Sequence, residues 1–277
     1  MQKTNNPIGI FDSGVGGLTV AKKVIEYLPN EEILYFGDNA RAPYGIHTNE
    51  RITQQSKQIL RFLEEKDVKC AIIACNTICA AGYDELAAVF GAPLYSIITP
   101  AAKACAELMD QNASLKKIGI IATNATVNSG IYEREIKKLR PDAIVLQQAC
   151  PELTVLAEAG LADREEGRRQ IEEYLQGFKK EGIDILVFGC THYPLFRRHV
   201  PGILGESVVL VDPADAAVLM VKETLGYGAD EAELAAKPKH KFYTSGDVDK
   251  FEEIARIVLD SGAKEALNVC QIDIEEY

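Results

Sequence analysis

Residues 8–20 read IGIFDSGVGGLTV, and this stretch decides the fold class of the 277-residue chain. Ile8–Phe11 is a continuous apolar run, which is typical of a parallel strand that is covered on both faces. A glycine-rich turn follows it, and apolar residues then recur at helical spacing from Leu18. A strand, a tight turn and a helix in this order indicate an α/β fold with a mainly parallel sheet.

Short apolar runs and amphipathic stretches continue to alternate along the rest of the chain. A second amphipathic helix is predicted between Ile52 and Leu63, where apolar residues again recur at helical spacing. The further strand candidates are Ile33–Phe36, Ala71–Cys75, Ile118–Ala122, Ile144–Leu146, Ile185–Gly189 and Val208–Val211.

Two pairs of similar segments indicate an internal duplication. Residues 8–14 are echoed 110 positions later by residues 118–124, and residues 70–77 are echoed 115 positions later by residues 185–192. Chance is the alternative explanation, because any two buried strands resemble each other. Two independent matches at nearly the same offset favour duplication.

The duplication predicts two similar lobes, each a mainly parallel sheet flanked by helices. We expect a discontinuous first lobe of residues 1–98 plus 212–277 and a second lobe of residues 99–211. Ligands of open α/β sheets bind beyond the carboxyl ends of the strands. The expected active site therefore lies in a cleft between the lobes.

Composition excludes several classes of function. The formal net charge of -11 repels phosphate backbones and anionic lipid, so we expect neither nucleic-acid nor membrane binding. The N-terminal residues lack the pattern of a signal peptide, and no apolar run has transmembrane length. Seven cysteines, an odd number, do not suggest a disulfide framework, and we expect reduced thiols in a cytoplasmic protein.

Two cysteines stand at predicted strand ends beside polar residues. Cys75 precedes Asn76 and Thr77, where the N-terminus of a following helix would stabilise a thiolate. Cys190 precedes Thr191 and His192, whose imidazole can poise the thiolate or relay its proton. The alternatives are a buried core cysteine in the first case and a capping segment with a packed histidine in the second.

The other five cysteines have no comparable setting. Cys70 and Cys79 flank the first motif, but their spacing around Cys75 is not that of a zinc site, so no metal is expected. We interpret the remaining three as residues that fill the core: Cys105, Cys150 and Cys270.

Two glycine-containing segments are candidate ligand-binding elements. In the turn 12–17 the backbone N–H groups and the Ser13 hydroxyl can hold a carboxylate, and Asp12 can bind an ammonium group or act on a nearby thiol. The turn does not match the dinucleotide fingerprint, and a plain strand–helix turn is the alternative. The loop 37–45 contains Pro-Tyr-Gly, which stiffens a turn and offers backbone donors beside a phenol.

Together these motifs resemble the cofactor-independent aspartate/glutamate racemase family. The resemblance runs from residue 8 to about residue 215, in the order and at the spacing of that family. Ala125 replaces the glycine that the family has in one of the matching turns. The matching segments are 12–20, 37–45, 74–77, 122–126 and 189–194.

The resemblance implies a two-base reaction in which one thiolate removes the α-proton of an amino acid and the opposite thiol supplies a proton to the other face. It assigns Cys75 to one enantiomer and Cys190 to the other, without pyridoxal phosphate or another cofactor. Asp12 would assist Cys75, and His192 would assist Cys190. Glu158 resembles a further family acid on the Cys190 side.

The resemblance also implies the substrate and its contacts. Glutamate is the expected substrate, with D-glutamate supplied to peptidoglycan synthesis, and a homodimer is expected because the family tends toward dimers. Aspartate as the substrate and a non-catalytic amino-acid-binding protein remain alternatives. The implied binding residues are Asp12, Ser13, Pro43, Tyr44, Gly45, Asn76, Thr77, Thr123, Thr191 and His192.

Overall fold

The structure, a computed structural model, describes residues 5–227, 238–259 and 267–277. Over these residues the chain forms strands and helices that alternate along most of its length. The strands are β1 (Ile8–Asp12), β2 (Ile33–Gly37), β3 (Cys70–Ile73), β4 (Leu94–Ser96), β5 (Lys117–Ala122), β6 (Ile144–Ala149), β7 (Ile185–Gly189), β8 (Val209–Val211), β9 (Lys241–Thr244) and β10 (Val269–Gln271). The helices are α1 (Leu18–Tyr27), α2 (Asn49–Glu65), α3 (Asn76–Val89), α4 (Ile98–Gln111), α5 (Asn124–Ser129), α6 (Ile131–Leu139), α7 (Pro151–Glu158), α8 (Glu165–Glu181), α9 (Val200–Leu204), α10 (Pro213–Thr224) and α11 (Val248–Val258).

The chain divides into two compact units. The first unit contains the residues up to Ile97 and those from Ala217 onwards, and the second contains Ile98–Ala216. The second boundary lies within α10. We retain the predicted lobe bounds, 98/99 and 211/212, as a proposal, because compactness alone does not define a part that folds independently.

The first unit is built on a six-stranded parallel sheet with the order β10-β9-β2-β1-β3-β4. Its central strand β1 is buried at every residue, so both faces of the sheet are covered at this point. Phe11 on β1 is paired with Phe36 on β2 and with Ile73 on β3. The carboxyl ends of these three strands therefore lie side by side.

The second unit repeats this arrangement on a smaller scale. Its four-stranded parallel sheet has the order β6-β5-β7-β8, which corresponds to β2-β1-β3-β4 in the first unit. The strands β7 and β1 are both buried along their whole length. The predicted fold class, α/β with two similar lobes of mainly parallel strands flanked by helices, is confirmed.

The strand predictions need four corrections. Cys75 does not end a strand, because β3 ends at Ile73 and Cys75 is the N-cap residue of α3. The strands β4, β9 and β10 were not predicted at all. Each has only three or four residues, and none is a continuous apolar run. Continuous apolar character was the signal that identified the other strands.

One cysteine prediction is wrong. Cys270 does not fill the core, because it is exposed on β10, the strand at the edge of the first sheet. Cys105 and Cys150 are buried, as predicted, and Cys70 is buried as well.

The helices bury one face each. In α2 the buried apolar residues include Ile52, Ile59 and Leu63, at the helical spacing seen in the sequence. Burial of each such side chain contributes about 1.5–3 kcal/mol relative to leaving it exposed. None of the helices in the described ranges has the length and apolar character needed to cross a membrane.

Two glycines of α8 provide a matched test of the packing in the second unit. A Cβ atom at Gly167 would lie 2.5 Å from the carbonyl oxygens of Leu161 and Ala162, whereas a Cβ at Gly177 would meet nothing within 4 Å. We expect Gly167→Ala to lower the free energy of unfolding by about 1–3 kcal/mol through overpacking. Gly177→Ala should instead raise it by about 0.5–1 kcal/mol, because alanine favours the helix. Urea unfolding of both variants checks this, and a Gly167→Ala protein as stable as the wild type would contradict the packing described.

Candidate active site

The turn after β1 is held in place by buried polar contacts. Asp12 is 1 % exposed, and its Oδ1 accepts a hydrogen bond from the Gly14 amide at 2.9 Å. The Tyr35 hydroxyl donates to the Gly14 carbonyl at 2.6 Å, so the neighbouring strand β2 fixes the same turn. Gly17 is required here, because a Cβ would lie 2.6 Å from the Asp12 Cβ. The turn thereby holds Ser13 in a defined position at the end of β1.

Cys75 lies beside this turn. The Ala74 amide donates to the Phe11 carbonyl at 2.9 Å, which extends the contact between β1 and β3 beyond the end of β3. Cys75 follows as the N-cap residue of α3, and its Sγ is 3.5 Å from the Ser13 Oγ. The partial positive charge at a helix N-terminus stabilises a thiolate. The serine hydroxyl can accept from the thiol and donate to the thiolate, so it suits both protonation states.

Other buried polar groups surround Cys75. Burial raises the pKa of Tyr35 well above its usual value, and the charges of Asp12 and Cys75 raise it further. Tyr35 therefore remains protonated and keeps its hydrogen bond to the turn. Asn76 and Thr77 are buried in the first turn of α3, directly after the thiol.

The predicted Pro43-Tyr44-Gly45 segment is an exposed loop with one buried anchor. Pro43 and Gly45 are exposed, whereas Tyr44 is buried and donates its hydroxyl hydrogen bond to Asp38. Burial, followed by the charge of Asp38, raises the pKa of the Tyr44 phenol. The Ala42–Pro43 peptide bond is cis.

The second unit places Cys190 at the equivalent strand end. Cys190 directly follows β7, and the last residues of β5 and β7, Ala122 and Gly189, are paired. The Cys190 Sγ is 3.7 Å from Nδ1 of His192, and Nε2 of the same ring is 3.2 Å from Oε1 of Glu158. Cys190 and His192 are buried, whereas Glu158 is about half exposed at its side chain.

This arrangement favours a protonated imidazole. Burial lowers the pKa of His192, but its hydrogen bonds with Cys190 and Glu158 and the charges of these groups outweigh burial and raise the pKa to about 10. The hydrogen bond to His192 lowers the pKa of Glu158. In the second unit, the Cys190 thiol therefore lies beside the His192 imidazolium, which is itself paired with the Glu158 carboxylate.

Thr154 is a polar neighbour of Cys190 that sequence reasoning missed. Its Oγ1 is 4.0 Å from the Cys190 Sγ, and Thr154 lies one helical turn before Glu158 on α7. The sequence signal for Thr154 is its spacing of four residues from Glu158, because residues at this spacing lie on one face of a helix. Ser13 and Thr154 thus provide one hydroxyl neighbour for each of the two thiols.

The remaining predicted residues of the second unit have simpler surroundings. Thr123 is the N-cap residue of α5, where its Oγ1 accepts from the Thr126 amide at 3.3 Å. Thr191 is buried between Cys190 and His192. A substrate-binding role for Thr123 and Thr191 stays a prediction.

Three other cysteines are poorly suited to proton transfer at neutral pH. Burial raises the pKa of Cys70 and Cys105 to about 12, and it also raises the pKa of Cys150. These groups stay protonated thiols, which agrees with a packing role. Cys75 and Cys190 therefore remain as the candidate proton-transfer groups, each with a hydroxyl neighbour and each just beyond the carboxyl end of a strand.

Comparison with known proteins identifies the family. Residues 8–221 match the family described as Asp/Glu/Hydantoin racemase. The chain belongs to this racemase family. The resemblance read from the sequence motifs is confirmed, and with it the class of enzyme, an amino-acid racemase.

Relatives match the chain over nearly its whole length. A glutamate racemase from Thermoanaerobacter sp. (strain X514) is 42% identical over 275 residues, which cover 98% of each chain. The crystal structure of a glutamate racemase isoform from Bacillus anthracis has a TM-score of 0.87 and 35% identity, covering 97% of both chains. A glutamate racemase from Francisella tularensis, solved in complex with D-glutamate, has a TM-score of 0.85 and 34% identity, covering 99% of both. An aspartate racemase from Picrophilus torridus, with a TM-score of 0.58, is only 18% identical and covers 80% of this chain and 94% of its own; it shares the fold alone.

The pKa of His192 gives a direct test of this geometry. We expect Glu158→Gln to lower the imidazole pKa from about 10, because it removes a hydrogen-bonded charge. The His192 pKa of the folded protein exceeds 6.5, the ordinary value for histidine. The protonated ring therefore contributes its full stabilisation of the fold below about pH 6.5, and this contribution is lost as the pH rises through about 10. NMR titration of the histidine ring signals measures the shift. Replacement of the exposed Glu152, on the same helix, by Gln is the control, and an unchanged His192 pKa in Glu158→Gln would refute the contact.

Proposed function

We propose that the chain is a glutamate racemase, which interconverts L- and D-glutamate without a cofactor. The observation that carries the proposal is the repeated site: each unit holds a buried thiol just beyond the carboxyl end of a strand, with a hydroxyl neighbour, and the thiol of Cys190 also contacts the His192 imidazole. A racemase needs two groups that exchange protons with one carbon atom from opposite faces. A duplicated fold with one such thiol in each copy is suited to this task.

In the proposed reaction the thiolate of one cysteine removes the α-proton and becomes a thiol. The resulting carbanion takes a proton from the thiol of the other cysteine on the opposite face, which leaves a thiolate. Cys75 is proposed as the base for one enantiomer and Cys190 as the base for the other. One turnover thus exchanges the protonation states of the two cysteines, and proton exchange with solvent, or the reverse reaction, restores them.

Each proposed base has help in forming its thiolate. Only a few per cent of an ordinary thiol with a pKa of about 8.5 is ionised at neutral pH. For Cys75 we propose the N-terminus of α3 and proton handling by Asp12, and for Cys190 the imidazolium of His192, oriented by Glu158. The Ser13 and Thr154 hydroxyls can hydrogen-bond to either state of the thiols as they alternate.

Glutamate itself would be held by groups that compensate its charges. The proposed contacts to the α-amino and α-carboxylate groups come from the turn after β1, the first turn of α3 and the segment after β7. The exposed loop 43–45 is proposed to bind the side-chain carboxylate through backbone N–H groups, and Thr123 is a further proposed contact. The proposed residues are Asp12, Ser13, Pro43, Tyr44, Gly45, Asn76, Thr77, Thr123, Thr191 and His192.

Glutamate is favoured over aspartate by the relatives. The similar proteins at 34–42% identity are named glutamate racemases, whereas the aspartate racemase is only 18% identical. The test is incubation of the purified protein with each enantiomer of glutamate and of aspartate, without pyridoxal phosphate, followed by chiral chromatography. Racemisation of aspartate alone would support the second candidate, and binding without turnover would support a non-catalytic amino-acid-binding protein.

The cellular setting is also a proposal. We expect the protein to act in the cytoplasm as a homodimer and to supply D-glutamate for peptidoglycan, as the family resemblance implies. The seven thiols, none of them in a disulfide in the described structure, suit a reducing compartment. Sedimentation analysis of the purified protein tests the dimer.

Single removal of either proposed base should abolish racemisation. We expect Cys75→Ser and Cys190→Ser each to lower kcat at least about 10³-fold, because a serine hydroxyl is a far weaker base and both groups act in every turnover. Polarimetry with D- and L-glutamate measures the loss. Cys270→Ser is the matched control, since Cys270 is exposed and should leave the rate unchanged. Near wild-type racemisation by either active-site variant would refute the assignment.

The helper residues should act on different sides. We expect His192→Asn to affect proton transfer at Cys190 more than at Cys75, and Asp12→Asn to do the reverse, with losses in kcat of about 10²–10⁴. The enantiomers have equal free energy, so the ratio of their kcat/KM values must stay at unity. The asymmetry must therefore appear in individual kcat values or in α-deuterium isotope effects. Equal isotope effects for both enantiomers in both variants would show that these residues are not side-specific.

A further inference from the structure

Asp38 is a fully buried carboxylate that the proposed reaction does not use. It directly follows β2, and its side chain is 0 % exposed. Its backbone N–H donates to the Asp12 carbonyl at 3.1 Å, so it lies beside the turn at the end of β1. A buried charge is costly unless it is paired and fully hydrogen-bonded, and the identity of its partners therefore indicates its role.

Both oxygens of Asp38 accept hydrogen bonds from side chains. Oδ2 accepts from Nε of Arg41 at 2.7 Å and pairs with its Nη2 at 2.6 Å. The same oxygen accepts from the Tyr44 hydroxyl. Oδ1 accepts from the Ser245 Oγ at 2.7 Å. One carboxylate thus connects the 3₁₀ turn at 39–41, the loop at 43–45 and a segment about 200 residues further along the chain.

Arg41 extends this connection. Its Nη1 donates to Oε1 of Gln58 on α2 at 2.5 Å and to Oε1 of Glu275 at 3.0 Å. Its side chain is only 10 % exposed. The C-terminal segment that contains Glu275 is therefore bonded to the same network as the loop.

The loop itself has one buried side chain between two exposed residues. Pro43 and Gly45 are exposed, and Pro43 has no N–H group to donate. Tyr44 is the buried residue between them, and its hydroxyl is engaged with Asp38. Because the phenol donates its proton to Asp38, it has no proton left to donate to a substrate carboxylate. Any donor that the loop offers to such a group must come from its backbone.

We propose that Asp38 is a positioning residue, which holds the 43–45 loop through Tyr44 and Arg41 in the conformation that binds the side-chain carboxylate of the substrate. This inference rests on the proposed function. Arg41 also neutralises the charge of Asp38, so that the buried carboxylate does not repel the substrate carboxylate. Ser245 and Glu275, from the C-terminal part of the chain, add hydrogen bonds to Asp38 and Arg41 respectively.

The test uses Asp38→Asn, Tyr44→Phe and the double variant in the full-length protein. A positioning role predicts that Asp38→Asn raises KM for glutamate at least about tenfold while kcat changes less than about threefold, since the loop binds the substrate but does not move protons. Tyr44→Phe should give a smaller increase in KM. The double variant should be no worse than Asp38→Asn, because both substitutions break the same contact.

Hydrogen exchange supplies a readout that does not depend on turnover. The His47 amide donates to the Tyr44 carbonyl at 3.0 Å, so its exchange reports whether the loop keeps its conformation. We expect faster exchange at His47 in Asp38→Asn and in Tyr44→Phe. Asp142→Asn is the matched control, because Asp142 forms a similar two-bond pair with Arg140 but is exposed, in the other unit. It should change neither KM nor exchange at His47.

The outcomes separate the two proposals. An unchanged KM with unchanged exchange at His47 would overturn the positioning role, and so would a loss confined to kcat. If Asp38→Asn does not fold, Tyr44→Phe and Ser245→Ala decide the question by the same two measurements. Absence of racemisation by the wild-type chain would contradict the proposed function instead, and exchange at His47 would still show whether Asp38 holds the loop.

Discussion

The parallel pairing of neighbouring strands is the constraint on which both candidate sites depend. Parallel strands end at the same edge of a sheet, so the residues that follow them are brought together by backbone hydrogen bonds alone. In the first unit the bond from the Ala74 amide to the Phe11 carbonyl brings Cys75 beside Ser13. In the second unit the pairing of β5 with β7 does the same for the segment that contains Cys190. The side chains therefore meet without depending on the exact length of the intervening helices.

Burial has opposite consequences for the packing of a thiol and for its use as a base, because burial raises the thiol pKa. Burial by itself raises the pKa of a thiol, as it does for Cys70 and Cys105, and such a group is useless as a base near neutral pH. A buried thiol becomes useful only where the fold supplies compensation, such as a helix N-terminus or a cationic neighbour. Cys75 has the first and Cys190 has the second. The two halves of the chain thus share a topology but place different groups beside these two thiols.

The sequence predicts those features that depend on local patterns and fails on those that depend on long-range contacts. Continuous apolar runs identify the buried central strands, and the motifs around Cys75 and Cys190 identify the candidate thiols. The short strands β9 and β10 carry no such pattern, because they lie toward the edge of the sheet and are only partly buried. The bond from Ser245 to Asp38 joins residues 207 positions apart, and nothing in either local sequence indicates it. The spacing of four residues between Thr154 and Glu158 places both on one face of a helix. The sequence does not show, however, that this face of α7 lies beside Cys190.

Charge distribution resolves an apparent conflict in the proposed function. A chain with a net charge of -11 is expected to repel an anionic amino acid, yet charges further away than about 8 Å are largely screened at physiological salt. What matters is the state of the carboxylates close to the candidate sites, and each of these already has donors. Asp12 accepts from the backbone of its own turn, Asp38 is paired with Arg41, and Glu158 holds His192. These acids therefore orient or neutralise other groups, and the proposed partners of the substrate carboxylates are backbone N–H groups, neutral polar side chains and the imidazolium.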